Sequence, residues 1–219
     1  MAHFCLLIPH LDAISPRWLE FFSEAYVPRI IHHKRQPTDY SRNLLVWRFL
    51  NETDAEYAIF LDSDTVPPRH VAQLVAHGKP VVSGLVWRKY KDFPVPVLMK
   101  KNSDGSYNLV GIEDLETEDG LLVVDAVGTA CLAVRRDVFE KIGYPWFRFT
   151  EKMTDNGPAQ RGEDIFFSER CREEGFKLYV DPHVQCSHDQ VIDLAVYAQW
   201  ATRLFESHSI EELKRWLER

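Results

Sequence analysis

The first ninety residues alternate short apolar runs with segments of helical periodicity, and this alternation limits the fold more than any other feature. The apolar runs, each of a length that suits a buried strand, are Phe4–Ile8, Val27–His32, Tyr57–Leu61 and Pro80–Trp87. Helical spacing follows Ser15-Pro16, Ser41 and Pro67-Pro68. Strands joined by helices imply right-handed crossovers and parallel pairing. The sequence therefore predicts an α/β fold, with a mostly parallel central sheet flanked by helices.

The pattern changes after Trp87. An Asp104-Gly105 turn between two apolar runs predicts a hairpin, and a helix is expected from Gly162 to the C-cap glycine Gly175. The polar stretch Thr150–Arg161 is expected to be a mobile loop. The remaining predicted elements are strands at Leu121–Asp125, Thr129–Val134, Leu178–Val180 and Val184–Cys186 and helices at Val191–Phe205 and Ile210–Leu217.

Length and composition exclude several classes of protein. The chain has 219 residues, of which 45% are apolar, and a net charge of −7, which fits one domain over residues 1–219. No basic stripe points to nucleic acid, and no apolar run is long enough for a transmembrane segment. Four cysteines without CxxC spacing do not form a disulfide scaffold. We therefore expect a cytoplasmic enzyme.

Asp62-Ser63-Asp64 directly follows the third apolar strand. Ligands of open α/β sheets bind at the carboxyl ends of strands, and a spacing of two places both carboxylates on one side. Such oxygen ligands suit Mg²⁺ or Mn²⁺. A strand end that merely turns into a solvated loop explains the motif equally well when it is considered alone.

Two further polar sites follow at element ends. Glu163 and Asp164 open a helix, where the macrodipole favours acids and would keep a general base ionised. His188 closes a strand, where a neutral ring nitrogen can bind a metal. Each residue also has an ordinary explanation, as a helix-terminal acid or a polar cap. Their order along the chain carries more information than any one of them.

The ordered set of motifs resembles a GT-A-fold glycosyltransferase of the family 2 type, over nearly the whole chain. The matching segments are Leu6–Pro9, Ser41–Asn43, Phe60–Asp64, Val127–Cys131, Pro145–Phe147, Gly162–Phe167 and Cys186–His188. The resemblance implies a Rossmann-like fold with a nucleotide-binding half (1–90), an acceptor and metal half (91–190) and C-terminal helices (191–219). The chain departs from the family pattern at His10-Leu11, where the family commonly has a short polar pair. In the family an aspartate after the second strand often contacts the nucleobase, and only Asp39 is available here for that role.

The resemblance also implies roles for individual residues. The residues that it places around the nucleotide and donor sugar are Pro9, His10, Arg42, Asn43, Asp62, Ser63, Asp64, Gly128 and Thr129. Asp64, His188 and Asp62 would hold Mn²⁺ or Mg²⁺. Asp164 would be the catalytic base, with Glu163 as its neighbour or substitute, and Trp87 and Trp146 are candidate acceptor-stacking rings.

The reaction that follows is transfer of a sugar from a nucleotide-sugar donor (a UDP- or GDP-sugar) to a hydroxyl of a glycan, protein or small-molecule acceptor. An in-line attack predicts inversion, with retention as the alternative. The C-terminal helices would supply either acceptor contacts or the face of a homodimer.

Other classes of protein share parts of this pattern. Asp62-x-Asp64 also fits a haloacid-dehalogenase-like phosphatase with Asp62 as nucleophile, although that family carries the motif on its first strand. A non-catalytic sugar-nucleotide-binding protein is the other alternative, but all of the acidic candidates are retained. A nucleotidyltransferase needs a glycine-rich loop, and Pro9-His10-Leu11-Asp12 contains no glycine.

Overall fold

The computed structural model describes residues 3–10, 17–24, 29–34, 37–90, 93–154, 157–188 and 202. The helices in this part of the chain are α1 (Arg17–Glu24), α2 (Thr38–Glu52), α3 (Gln73–Ala76), α4 (Arg136–Ile142) and α5 (Glu163–Glu173). The strands are β1 (Phe4–His10), β2 (Ile30–Lys34), β3 (Tyr57–Leu61), β4 (Thr65–Val66), β5 (Val81–Tyr90), β6 (Phe93–Pro96), β7 (Met99–Lys101), β8 (Tyr107–Leu109), β9 (Thr117–Glu118), β10 (Leu121–Val124), β11 (Cys131–Arg135), β12 (Thr150–Thr154), β13 (Gly157–Arg161) and β14 (Leu178–His188).

The main sheet is mixed, so the prediction of a mostly parallel sheet is not confirmed. Its strands follow the order β2-β1-β3-β11-β5-β14-β10-β9. The pairs β1–β2, β1–β3 and β5–β14 are parallel, whereas β11 is antiparallel to both β3 and β5. The described chain between β5 and β11 contains strands and one 3-10 turn. Without an α-helical crossover there, nothing requires β11 to run parallel to its neighbours.

Apolar side chains cover both faces of this sheet. Leu7, on β1, joins one buried cluster with Leu45 of α2, Phe139 of α4 and Phe167 of α5. Leu6, its neighbour, points to the other face, where a second cluster includes Trp18 of α1 and Leu74 of α3. The alternation of side chains along a strand explains this division. None of the helices in the described residues is long and apolar enough to span a bilayer.

Several predicted elements differ in the structure. The stretch expected to be a mobile loop forms the hairpin of β12 and β13, with Thr150 opposite Arg161. Pro67-Pro68 does not open a helix directly, because helix α3 spans only Gln73–Ala76. The two short strands predicted between 178 and 186 form the single strand β14, with an irregularity between Asp181 and Gln185. The predicted C-terminal helices lie outside the described residues, apart from residue 202.

Candidate functional site

A tight turn holds the Asp62-Ser63-Asp64 motif at the end of β3. The Asp62 N–H donates to the Ala130 carbonyl at 3.0 Å, and the Thr65 N–H donates to the Asp62 carbonyl at 2.9 Å. The buried Trp18 indole donates its Nε1–H to the Ser63 carbonyl at 3.1 Å. The turn is therefore anchored from the sheet and from α1, and Ser63 takes part through its backbone. Sequence reasoning did not predict this role of Trp18.

The register between β4 and β14 brings His188 to the same turn. Strand β14 pairs with β4 so that His188 lies opposite Thr65. As a result, His188 Nε2 is 3.4 Å from Asp64 Oδ2. The other ring nitrogen, Nδ1, is 2.8 Å from the Trp87 carbonyl oxygen. Because a carbonyl only accepts hydrogen bonds, Nδ1 carries a proton, and Nε2 is the atom that faces the carboxylate.

Asp64 and His188 perturb one another. The hydrogen bond to His188 lowers the pKa of Asp64 below its usual value, and the hydrogen bond to Asp64 raises the pKa of His188. A neutral His188 would direct a lone pair at the Asp64 carboxylate, so the pair favours either a proton or a cation between them. A metal-bound histidine commonly donates its second N–H to a carbonyl, as His188 does.

Asp62 is paired with Arg42, and its charge also contributes to the raised pKa of His188. Arg42 Nη2 is 3.0 Å from Asp62 Oδ1, and Arg42 Nε is 3.3 Å from Glu163 Oε1. The described residues contain no group of three or more His, Cys, Asp or Glu side chains that could hold a metal ion. The ion pair with Arg42 explains why Asp62 does not join Asp64 and His188.

Arg42 joins the first acidic motif to the second. Its side chain is buried, and it spans from Asp62, after β3, to Glu163, at the start of α5. Its third nitrogen, Nη1, is buried and has no hydrogen-bond partner among the described residues. A buried charge is stable only when it is well paired, and the two carboxylates provide that pairing.

Asp164 has a different environment from Glu163. Burial and the adjacent charge of Glu163 raise the pKa of Asp164, whereas Glu163 is the acid that pairs with Arg42. The Asp164 carboxylate accepts the Ile165 N–H at 2.8 Å. The helix dipole was expected to favour the ionised form of Asp164. Burial, which is the largest cause of the shift in its pKa, acts in the opposite direction.

Gly162 leaves room for the Asp164 carboxylate. A Cβ atom at Gly162 would overlap with Asp164 Oδ1. The backbone at Gly162 is extended (φ −65°, ψ 157°), so alanine is allowed there. We predict that Gly162→Ala displaces the Asp164 side chain, while the melting temperature stays nearly unchanged. Crystallography of the variant and calorimetry test this, and an Asp164 side chain that keeps its position would contradict it.

Asn43 and Trp146 both make hydrogen bonds within the fold. The Asn43 side-chain oxygen accepts the N–H groups of Trp146 and Phe147, at 3.0 and 3.1 Å, and its amide donates to the Phe147 carbonyl at 2.7 Å. The Trp146 side chain is 6% exposed, and its indole donates to the Phe139 carbonyl. A buried ring offers no free face to an acceptor sugar, and the amide of Asn43 is already used.

Most of the other predicted residues lie at or next to strand ends, and Trp87 lies within β5. Pro9 is buried at the end of β1, and His10 Nε2 is 3.1 Å from His32 Nδ1 on β2. Thr129 is buried before β11, and a Cβ at Gly128 would meet Val97 Cγ1 at 3.3 Å. Trp87 is partly buried against the core. The contact with His32 depends on the β1–β2 register, which sequence patterns alone did not predict.

Comparisons with known proteins identify the fold and no more. No protein-family model matches the chain, and no curated protein matches it. Among solved structures, A197 from STIV has a TM-score of 0.59 and 21% identity, covering 87% of this chain and 86% of that one. GalNAc-T7, crystallised with UDP, GalNAc and Mn²⁺, has a TM-score of 0.57 and 13% identity. That match covers 90% of this chain and 47% of GalNAc-T7. These likenesses support a glycosyltransferase-like fold.

Proposed function

We propose that this protein is a metal-dependent glycosyltransferase, which moves a sugar from a nucleoside-diphosphate-sugar to a hydroxyl acceptor with inversion. The observation that carries the proposal is the convergence of two acidic motifs about a hundred residues apart. Arg42 contacts both Asp62 and Glu163, and Asp64 contacts His188 at the same turn. The likeness to GalNAc-T7, which was crystallised with UDP and Mn²⁺, supports the same chemistry.

Asp64 and His188 would hold the metal ion. A carboxylate and an imidazole suit Mn²⁺, and Mg²⁺ is typically bound by one or two carboxylates together with substrate phosphates. A divalent cation there would act as a Lewis acid for the departing diphosphate. Asp62, held by Arg42, would then contact the nucleotide.

Asp164 would accept the proton of the acceptor hydroxyl. A base works best when its pKa lies near the working pH, and burial and Glu163 move the pKa of Asp164 in that direction. Glu163 is the weaker candidate, because its carboxylate is already paired with Arg42. Trp87 remains the proposed stacking ring for the acceptor. We assign no substrate contact to Trp146 or Asn43, because their side chains already take part in packing and hydrogen bonds.

Calorimetric titration of UDP, GDP and CDP, with and without Mn²⁺, tests the proposal. The wild type is compared with Asp64→Ala and with the exposed control Asp54→Ala. Tight binding of one nucleotide that needs both Mn²⁺ and Asp64 would support the transferase. If no nucleotide binds with metal present, the proposal fails. A phosphatase activity that disappears in Asp62→Asn would then favour the haloacid-dehalogenase-like alternative.

The pH dependence of the reaction should report the electrostatic effect of Glu163 on the pKa of Asp164. The base must be unprotonated, so kcat/KM rises with pH through the pKa of Asp164. The Glu163 charge raises that pKa, and Glu163→Gln removes the charge. We therefore predict that the acidic limb of the profile moves to lower pH in Glu163→Gln and stays in place in the surface control Glu113→Gln. A limb that does not move, or moves to higher pH, would contradict the coupling.

A further inference from the structure

A cleft of about 450 Å³ lies between α2 and the loop of residues 144–148. Three aromatic side chains at this cleft are largely exposed: Tyr40 at 51%, Trp47 at 52% and Tyr144 at 73%. Its volume falls in the range of small-ligand sites, about 300–1,000 Å³. Exposed aromatic rings grouped around a concave surface are uncommon in proteins unless the surface binds something.

Hydrogen bonds and packing fix the walls of the cleft. Asn43, on α2, makes three hydrogen bonds to the backbone of Trp146 and Phe147. The Phe147 ring stacks on Phe167 of α5, with centroids 4.8 Å apart. Tyr144 meets the ring of Trp146 edge to face, at 5.7 Å. Because these contacts exist without a ligand, binding does not have to order the loop, which reduces its entropic cost.

The cleft is separate from the site around Asp62 and Asp64. Leu45 and Phe49 mark the face of α2 that packs on the sheet. At 3.6 residues per turn, Tyr40 and Trp47 project about 140° and 160° away from Leu45. Arg42 is buried on the inner side and contacts Asp62. The exposed rings are therefore on the outer side of α2, facing away from the proposed donor site.

We propose that this cleft binds an oligosaccharide chain. Aromatic faces accommodate the apolar C–H face of a pyranose ring, and the cleft also contains Asp39 and Arg148, which can accept from and donate to sugar hydroxyls. The Asp39 Oδ1 atom accepts its neighbour's N–H, and a carboxylate retains further acceptor sites. A protein partner would need about 800 Å² of surface on this side, and a small concave cleft favours a narrower chain. This proposal does not depend on the proposed transferase activity.

Saturation-transfer NMR and tryptophan fluorescence with the full chain test the proposal. The probes are the neutral tetrasaccharides of glucose, N-acetylglucosamine, galactose and mannose. We expect at least one to bind, and Trp47→Ala and Tyr144→Ala each to raise its Kd about tenfold. Trp47→Phe, which keeps a ring, should recover part of the affinity. The control Leu19→Ala, at a side chain 72% exposed on α1, should bind like the wild type.

Three results would overturn the proposal. The first is that none of the four tetrasaccharides binds. The second is that one binds but neither Trp47→Ala nor Tyr144→Ala weakens it, which places the sugar elsewhere. The third is that UDP competes with the sugar and loses affinity in Trp47→Ala, which makes the cleft part of a nucleotide site. Failure of nucleotide binding alone would contradict the transferase and leave this site unaffected.

Discussion

Replacing Asp164, the proposed catalytic base, by Asn is expected to lower kcat by about 10²- to 10⁴-fold, the usual contribution of a general base. Asparagine keeps the shape of the side chain and can still occupy the space beside Gly162. It has no useful basicity, so the acceptor hydroxyl would lose its proton acceptor. The nucleotide should bind with the affinity of the wild type, because this residue belongs to α5 and not to the Asp62–Asp64 turn.

The measurement is a steady-state assay with the nucleotide-sugar found by titration, together with calorimetric Kd values. Asp54→Asn, at an exposed aspartate after α2, serves as the matched control and should leave kcat unchanged. Asp164→Glu tests position, since it keeps the base but moves it by one methylene. Full turnover in Asp164→Asn with intact donor binding would show that another group accepts the proton.

Replacing Arg42 by Met is expected to lower the free energy of unfolding by about 3–5 kcal/mol. The substitution leaves Glu163 and Asp62 facing one another without the cation that separates them. Glu163 is mostly buried, with 12% of its side chain exposed, and Asp62 is partly buried at 26%. The exposure of Asp62 to solvent places the expected loss near the lower end of this range.

The triple variant Arg42→Met, Asp62→Asn, Glu163→Gln separates charge from packing. If uncompensated charge causes the loss, removing both acids should recover most of the stability, as for other buried ion pairs replaced as a unit. Urea denaturation of the wild type, the single variant and the triple variant measures this. Arg42→Lys should keep only part of the stability that Arg42→Met loses, because an ammonium cannot replace a planar guanidinium that contacts two acids. A single variant as stable as the wild type would contradict the proposed role.

The strands in the first ninety residues were largely predictable from sequence. Phe4–Ile8 and Tyr57–Leu61 appear in β1 and β3, since continuous apolar runs of this length suit strands buried on both faces. The hairpin of β12 and β13 was missed because its residues are polar and include Pro158. Its pairing comes from backbone hydrogen bonds, which leave little trace in a hydrophobic pattern.

The candidate site was also only partly predictable from the sequence. The residue types and their order along the chain pointed to a carboxylate-rich site, because acids after a strand and at the start of a helix follow local rules. Which acid contacts which partner was not predictable. Arg42 could have faced solvent, and Asn43 was expected to meet a nucleotide but instead holds residues 146 and 147.

The sequence alone determined most of the strands and helices of the first ninety residues and the acids that follow β3 and open α5, because these depend on neighbours within a few positions of the chain. Only the tertiary structure decided the antiparallel insertion of β11 between β3 and β5. It also decided the β4–β14 register that brings His188 to Asp64 and the burial of Arg42 between two acids. These features depend on contacts between distant segments, whose energies arise from packing and desolvation rather than from local propensity.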